Sequence, residues 1–322
     1  MSITLNDPDA LFIPLVSDYG FKVVFGNEKN TLFLRKALQA LIGSEVPISE
    51  VSFDKTTFDA IVKDSRGGIY DLACIDQNGN HFIVEMQVSD APYFFQRMKF
   101  YAFHKFNSLV QRGNFDYSNL DRIYCIGILA NNIFSGTDYH TLAAIRKADG
   151  ELIDQQITCV TVELDKFQLT ADEVQTDLDK LVYTMKTIHT TTQPTQFPVF
   201  WNEEWLQVAI DELDKRKMTP DERFAYERTL AINAEAIRVV NAQIEEVQKE
   251  AIRKALKRGR LSVKEIAEDN EVSVNLVEHL QRELFLTNWT VLKKNPITAV
   301  HCTDEIILSA PKYRKHPMHN HA

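Results

Sequence analysis

Apolar residues recur along the chain with two different periods, and the alternation between them predicts an α/β core followed by helices. In EKNTLFLRKALQALI, residues 28–42, Leu32, Leu34, Leu38, Leu41 and Ile42 fall at mixed spacings of three and four, and Gly43 follows as a stop, which predicts a helix. Three strand-like runs come next: FDAIVKD at 58–64, IYDLACID at 69–76 and HFIVEMQVS at 81–89. Gln77-Asn78-Gly79-Asn80 joins the last two, and an Asn-Gly pair favours a tight hairpin. Pro92 suits the first turn of a second helix reaching about Arg112, whose apolar stripe is Phe95, Met98, Ala102, Phe106, Leu109 and Val110; Gly113 ends it.

Two continuous apolar runs, 123–130 and ITCVTVEL at 157–164, predict buried strands with a short helix around 138–147 between them. A further amphipathic helix is expected over 171–189, and TTTQPTQFP at 190–198 reads as a linker, so a first, α/β domain is expected over 1–195. This order of elements describes a mixed central sheet flanked by helices. Residues 196–260 read as an almost wholly helical extension ending in the cation-rich KEAIRKALKRGR.

Residues 261–286 predict two short helices resembling a helix-turn-helix, with Ser262 and Glu265 as a capping box, Ser273 as the second cap, and a seam of Ile266, Ala267, Val272, Val274, Val277 and Leu280. Glu278, His279, Arg282 and Glu283 make the second helix a poor recognition surface for a major groove, which favours a packing or oligomerisation element. A disordered tail is expected over 287–322, its end carrying His316, His319 and His321.

Composition narrows the function classes. The formal charge of −9 excludes a protein that coats nucleic acid by bulk electrostatics, since phosphate binding is driven by Lys and Arg. It leaves room for an enzyme in which carboxylate-bound divalent ions supply the local positive charge. The N-terminus has acidic residues and a proline where a signal peptide needs a basic start and an apolar run, and no stretch approaches the length of a membrane helix, so a soluble cytoplasmic protein is expected. Cys74, Cys125, Cys159 and Cys302 form no CxxC pair, and the first three sit in apolar runs that predict buried thiols.

The hairpin DLACIDQNGNHFIVEMQ carries the chemistry. Glu85 and Gln87 are two apart and therefore share one face of a strand, and Asp71 on the partner strand can approach that face. Glu85 interrupts the apolar run FIVEMQV, where an unpaired carboxylate carries a desolvation cost of several kcal/mol and is usually paired or metal-bound. Converging carboxylates suit Mg²⁺, with Mn²⁺ as an alternative, because hard cations take oxygen ligands. Asp76 opens the turn, where Asp is favoured for local hydrogen bonds; Asp59, in the preceding run, stays open.

SDYGFKVVFG at 17–26, YDLACIDQNGNHFIVEMQ at 70–87 and YFFQRMKFYAFHKFNSLVQRGNFDYSNLDRIYCIGIL at 93–129 resemble the Rpn family, recombination-promoting nucleases and transposases of the PD-(D/E)XK superfamily. The resemblance covers about the first 190 residues and implies a restriction-endonuclease-like core, a metal-dependent DNA endonuclease that promotes recombination or transposition, and DNA as partner. It implies that Asp71 and Glu85 are the metal ligands and that Gln87 stands where the superfamily motif has lysine. A lysine there would orient or activate the attacking water; an amide can hydrogen-bond water or phosphate but carries no charge, so more of the activation falls to the metal.

Asp18 and Lys22, four apart, resemble the family's N-terminal motif, against the plain alternative of a surface ion pair. Arg97 and Tyr101, also four apart, resemble positions that face the site, and Arg97 could hold a phosphate bidentately. The alternative to an enzyme is a non-catalytic DNA-binding or assembly protein on a nuclease-like fold, for which the missing lysine argues and the retained Asp71 and Glu85 argue against. A homo-oligomer is compatible with the long helices at 221–258.

Overall fold

The computed structural model describes residues 10–58, 68–88, 93–110, 116–193 and 196–294, and of residues 119 and 287–294 the backbone alone. The chain divides into two compact units, one ending at Leu230 and the other beginning at Ala231.

The first unit holds α1 (Asp18–Phe25), α2 (Leu32–Ile42), β1 (Val51–Phe53), β2 (Thr57–Phe58), β3 (Gly68–Ile69), β4 (Leu72–Asp76), β5 (His81–Gln87), α3 (Phe94–Leu109), β6 (Ile123–Leu129), β7 (His140–Arg146), β8 (Leu152–Glu163), α4 (Asp177–Thr187) and α5 (Glu204–Leu213). Six strands form a mixed sheet in the order β1-β4-β5-β6-β8-β7, and β2 pairs with β3 separately. β5, β6 and β8 run parallel at its centre, while β1, β4 and β7 pair antiparallel around them. The expected mixed α/β core is therefore the observed one.

Each face of the sheet builds its own core because side chains alternate along the strands. Leu72, Cys74, Phe82, Val84, Ile126, Ile128, Val160 and Val162 point to the larger core, where they meet Phe21 and Phe25 of α1, Leu34 and Leu38 of α2, and Leu181 and Met185 of α4. Ala73, Ile83, Ile123, Cys125, Leu129 and Cys159 point to the opposite face, which α3 covers with Phe94, Met98, Tyr101 and Ala102. Cys74, Cys125 and Cys159 are buried free thiols, as their apolar settings predict; Cys302 lies outside the described residues.

Several expectations change. The stretch expected as a helix around 138–147 holds edge strand β7, His140–Arg146, instead. The local helix preference of LAAI gives way to pairing with β8 through a turn at Asp149-Gly150, which Lys147 N–H donating to Glu151 O at 2.8 Å helps to close. β8 is accordingly longer than expected, starting at Leu152. α4 starts at Asp177 rather than 171, where Thr176 and Asp179 form a capping box. The first unit also runs past residue 195, because Trp201, Trp205, Leu206, Ala209, Ile210 and Leu213 are buried in the same core as the sheet. Most of the run at 58–64, and Asp59 with it, lies outside the described residues, as does Pro92.

α6 (Pro220–Arg258) begins in the first unit, and its later part joins α7 (Val263–Asp269) and α8 (Val274–Lys294) in the second. Ile252, Ile266, Ala267, Val277 and Leu280 make the small core of the second unit, with Val272 packed against it. The expected capping box is present: Ser262 Oγ accepts from Glu265 N–H at 3.3 Å, and Glu265 Oε2 accepts from Ser262 N–H at 2.7 Å. Val274 is exposed rather than part of the seam. α8 continues through Lys294, so the first residues of the expected tail are helical backbone, and 295–322 lie outside the described residues. No helix among the described residues is long and apolar enough to cross a membrane.

Candidate active site

Hairpin register brings the acidic residues together. β4 and β5 pair Leu72 with Val84, so the next position of the ladder sets Asp71 opposite Glu85. The turn that fixes this register is tied by Asp76, whose Oδ1 accepts from Asn78 and Asn80 N–H, each at 2.9 Å, while its Oδ2 accepts from Asn80 Nδ2 at 2.8 Å. Asp76 thus serves the turn, as the sequence suggested.

Asp71 and Glu85 clasp each other's strands. Glu85 Oε1 accepts from Asp71 N–H at 3.2 Å, and Asp71 Oδ2 accepts from Met86 N–H at 2.9 Å. One oxygen of each carboxylate is held by backbone in this way, and Glu85 Oε2 faces Arg97. Glu85 is 6% exposed, whereas Asp71 reaches solvent. Burial and, second, the Asp71 charge push the Glu85 carboxyl up to about 7, with Arg97 and the Asp71 N–H only partly offsetting them. Although Asp71 is exposed as a residue, desolvation by the surrounding protein is the main cause raising its pKa as well; the hydrogen bond from Met86 opposes it.

Arg97 reaches the pair from α3. Its Nη2 donates to Gln87 Oε1 at 3.0 Å and lies 3.6 Å from Glu85 Oε2. The guanidinium carbon sits 5.0 Å from the centroid of the Phe94 ring. That ring fits because the residue beneath it has no side chain: a Cβ on Gly127, the β6 residue paired with Glu85, would lie 2.5 Å from Phe94 Cε1. Gly127 and Phe94 are therefore part of how Arg97 is placed. Sequence reasoning missed both, yet a glycine inside the apolar run IYCIGIL is itself a signal of close approach by another group.

Lys22 Nζ and Asp18 Oδ1 form an exposed i,i+4 ion pair at 2.7 Å on α1. Both act on Asp71 electrostatically, Asp18 raising and Lys22 lowering its pKa, so the N-terminal motif stands at the rim of the carboxylate pair. Ser17 caps α1 by accepting from Gly20 N–H at 3.0 Å, and Gly20 packs so tightly that a Cβ there would fall 2.2 Å from Pro14 O. The motif SDYG is in these terms a device for setting the start of α1. Tyr101 is buried on α3 with its ring edge-on to Tyr70, 5.1 Å between centroids, within the core under the helix.

Among the described residues no group of three or more His, Cys, Asp or Glu could hold a metal ion. Two carboxylates fit a cation that keeps several waters, as Mg²⁺ does, and the raised proton affinity of Glu85 marks a place short of positive charge. Arg97 supplies only part of it.

The family model for PD-(D/E)XK nuclease family transposases matches residues 15–243, from the SDYGF segment through the sheet and into α6. The chain belongs to this family. The match extends beyond the roughly 190 residues over which the sequence resembles Rpn proteins, in keeping with α5 packing into the main core. No curated protein and no solved structure matches the chain. Membership carries a nuclease or transposase type of function, and nucleases of this kind generally depend on divalent metal.

Proposed function

We propose that the chain is a cytoplasmic, Mg²⁺-dependent endodeoxyribonuclease, with Mn²⁺ as an alternative ion, that hydrolyses phosphodiester bonds in DNA and whose cuts promote recombination or transposition. The observation that carries this reading is the Asp71–Glu85 pair, two opposed carboxylates each gripping the other's strand, with Glu85 buried and poor in counter-charge. Family membership supplies the reaction class.

Asp71 and Glu85 would hold the ion. A bound divalent ion supplies Lewis acidity at the scissile phosphate and lowers the pKa of water. Ionised Glu85 is the ligand form, so its carboxyl gives up the proton that its folded setting favours. Arg97, partly exposed and steadied on Phe94, offers guanidinium donors to a phosphate oxygen. Gln87 accepts from Arg97 through Oε1 and so helps to hold the guanidinium beside the carboxylate pair. Lys22 adds a cation at the rim where the DNA backbone would pass. In the reaction a water oxygen bonds to phosphorus while one bond from phosphorus to a sugar oxygen breaks, and the proton that the water loses is made good on the leaving sugar oxygen from solvent.

Supercoiled plasmid incubated with purified protein in Mg²⁺, Mn²⁺ or EDTA tests the proposal. Nicked and linear forms are expected with either metal and not with EDTA. Intact plasmid under all three conditions would reject the enzyme reading and leave the non-catalytic one.

A further inference from the structure

Within the second unit, α6 presents an apolar seam that none of the described residues covers. Ile237, Val240, Ile244 and Val247 are 60%, 52%, 60% and 69% exposed, far more than β-branched residues in a helix normally are. Their spacing of three, four and three, continued by exposed Ala251, is the a/d pattern of a coiled-coil heptad, although Ile232 and Val239 of the same helix are exposed outside it.

Outside the seam the same helix pairs most of its charges locally, and Ile252 packs into the core of the unit. Arg238 pairs with Glu235 at 3.4 Å, Lys249 with Glu245 at 2.5 Å and Arg253 with Glu246 at 2.8 Å. All of these charges fall outside the seam and its flanks.

We propose that this seam is an interface and that its occupant is the same segment of a second copy of the chain. Charge decides the occupant. The positions flanking the seam, where coiled coils place the charges that select a partner, are Ala234, Ala236, Asn241, Gln243 and Gln248. None is charged, so two identical helices meet without like-charge repulsion and no flanking charge calls for a complementary foreign helix. The first charged flank, Glu250, is already paired with Lys254 at 2.8 Å. Self-pairing also fits the seam chemistry, since a second copy supplies the same β-branched knobs. Its shortness implies a reversible dimer that dissociates on dilution.

Sedimentation of the full chain over a dilution series, in metal-free buffer so that the outcome is independent of nuclease activity, is the test. The expected result is a twofold change in mass from dimer at high micromolar concentration to monomer on dilution. Val240→Asp with Ile244→Asp should leave only monomer with unchanged helical circular dichroism, because both residues are exposed in the single chain. Arg238→Ala, on the opposite face, should still dimerise, and Ile244→Leu should as well. A wild-type chain that stays monomeric at high micromolar concentration would overturn the proposal, as would a dimer that survives the double aspartate substitution.

Discussion

Glu85→Gln in metal-free protein isolates the electrostatic cost of the carboxylate pair. The side chain keeps its shape, and its carbonyl oxygen can still accept from Asp71 N–H. What it loses is the charge. Glu85 has its carboxyl raised from 4.5 to about 7. A folded-state pKa above the unfolded one means that the native protein holds the extra proton between these values, so folding stability falls as pH rises through that window. The difference of 2.5 units, at 1.36 kcal/mol each, bounds the loss above pH 7 at about 3 kcal/mol. In EDTA at pH 8 the variant should therefore be more stable than wild type by up to about 3 kcal/mol, on the order of 5–10 °C in melting temperature for a unit of this size. At pH 4.5 the two should nearly coincide, because wild-type Glu85 is then protonated in the folded state. Differential scanning calorimetry across pH 4.5–8 reads both. A variant less stable than wild type at pH 8, or a gap that does not change with pH, would refute the burial and repulsion assigned to this carboxylate.

Asp71→Asn should lose plasmid cleavage while staying folded, since it keeps an acceptor for Met86 N–H; nicking at the wild-type rate in matched metal would exclude Asp71 as a ligand. Gly127→Ala sets a methyl 2.5 Å from Phe94 Cε1 and should cost about 1–3 kcal/mol as overpacking, together with weakened cleavage as Arg97 is displaced; an unchanged denaturant midpoint and rate would contradict this. Gly20→Ala meets the backbone carbonyl of Pro14, which cannot swing aside, and should destabilise by a similar or larger amount, read by thermal melting; a neutral result would show that α1 shifts freely. Gln87→Lys restores the superfamily residue and should keep or raise cleavage, while losing the Arg97 hydrogen bond at a cost of about 1 kcal/mol; no cleavage with an unchanged melting temperature would contradict it.

The two strands of the central hairpin and the shared face of Glu85 and Gln87 were legible because period and turn chemistry are local properties. The Asn78-Gly79 turn fixes the register, and the register fixes Asp71 opposite Glu85. β7 was not legible from its own residues: LAAI is a good helix sequence, and only the Asp149-Gly150 turn and the need of β8 for a partner override it. Burial of Trp201 and Trp205 was hidden for a similar reason, since a polar TTTQPTQFP segment ahead of them reads as a linker although the chain beyond it returns to the core. Arg97 was found through family resemblance, but its support from Phe94 and Gly127 is a contact between α3 and β6 that no spacing encodes. The seam on α6 shows the converse, a pattern fully present in sequence whose meaning depends on knowing that Ile237 to Val247 stay exposed.

Calorimetric titration of Mn²⁺ into wild type and Asp71→Ala at pH 6.5, below the raised Glu85 titration, tests the central assignment most directly, because it reads the cation site without relying on turnover. Wild type should bind at a saturable site and release protons as Glu85 ionises, detectable as a heat that varies with the ionisation enthalpy of the buffer. Asp71→Ala should show neither. Equal binding by the two proteins, or binding with no proton release, would contradict a metal site built on Asp71 and Glu85.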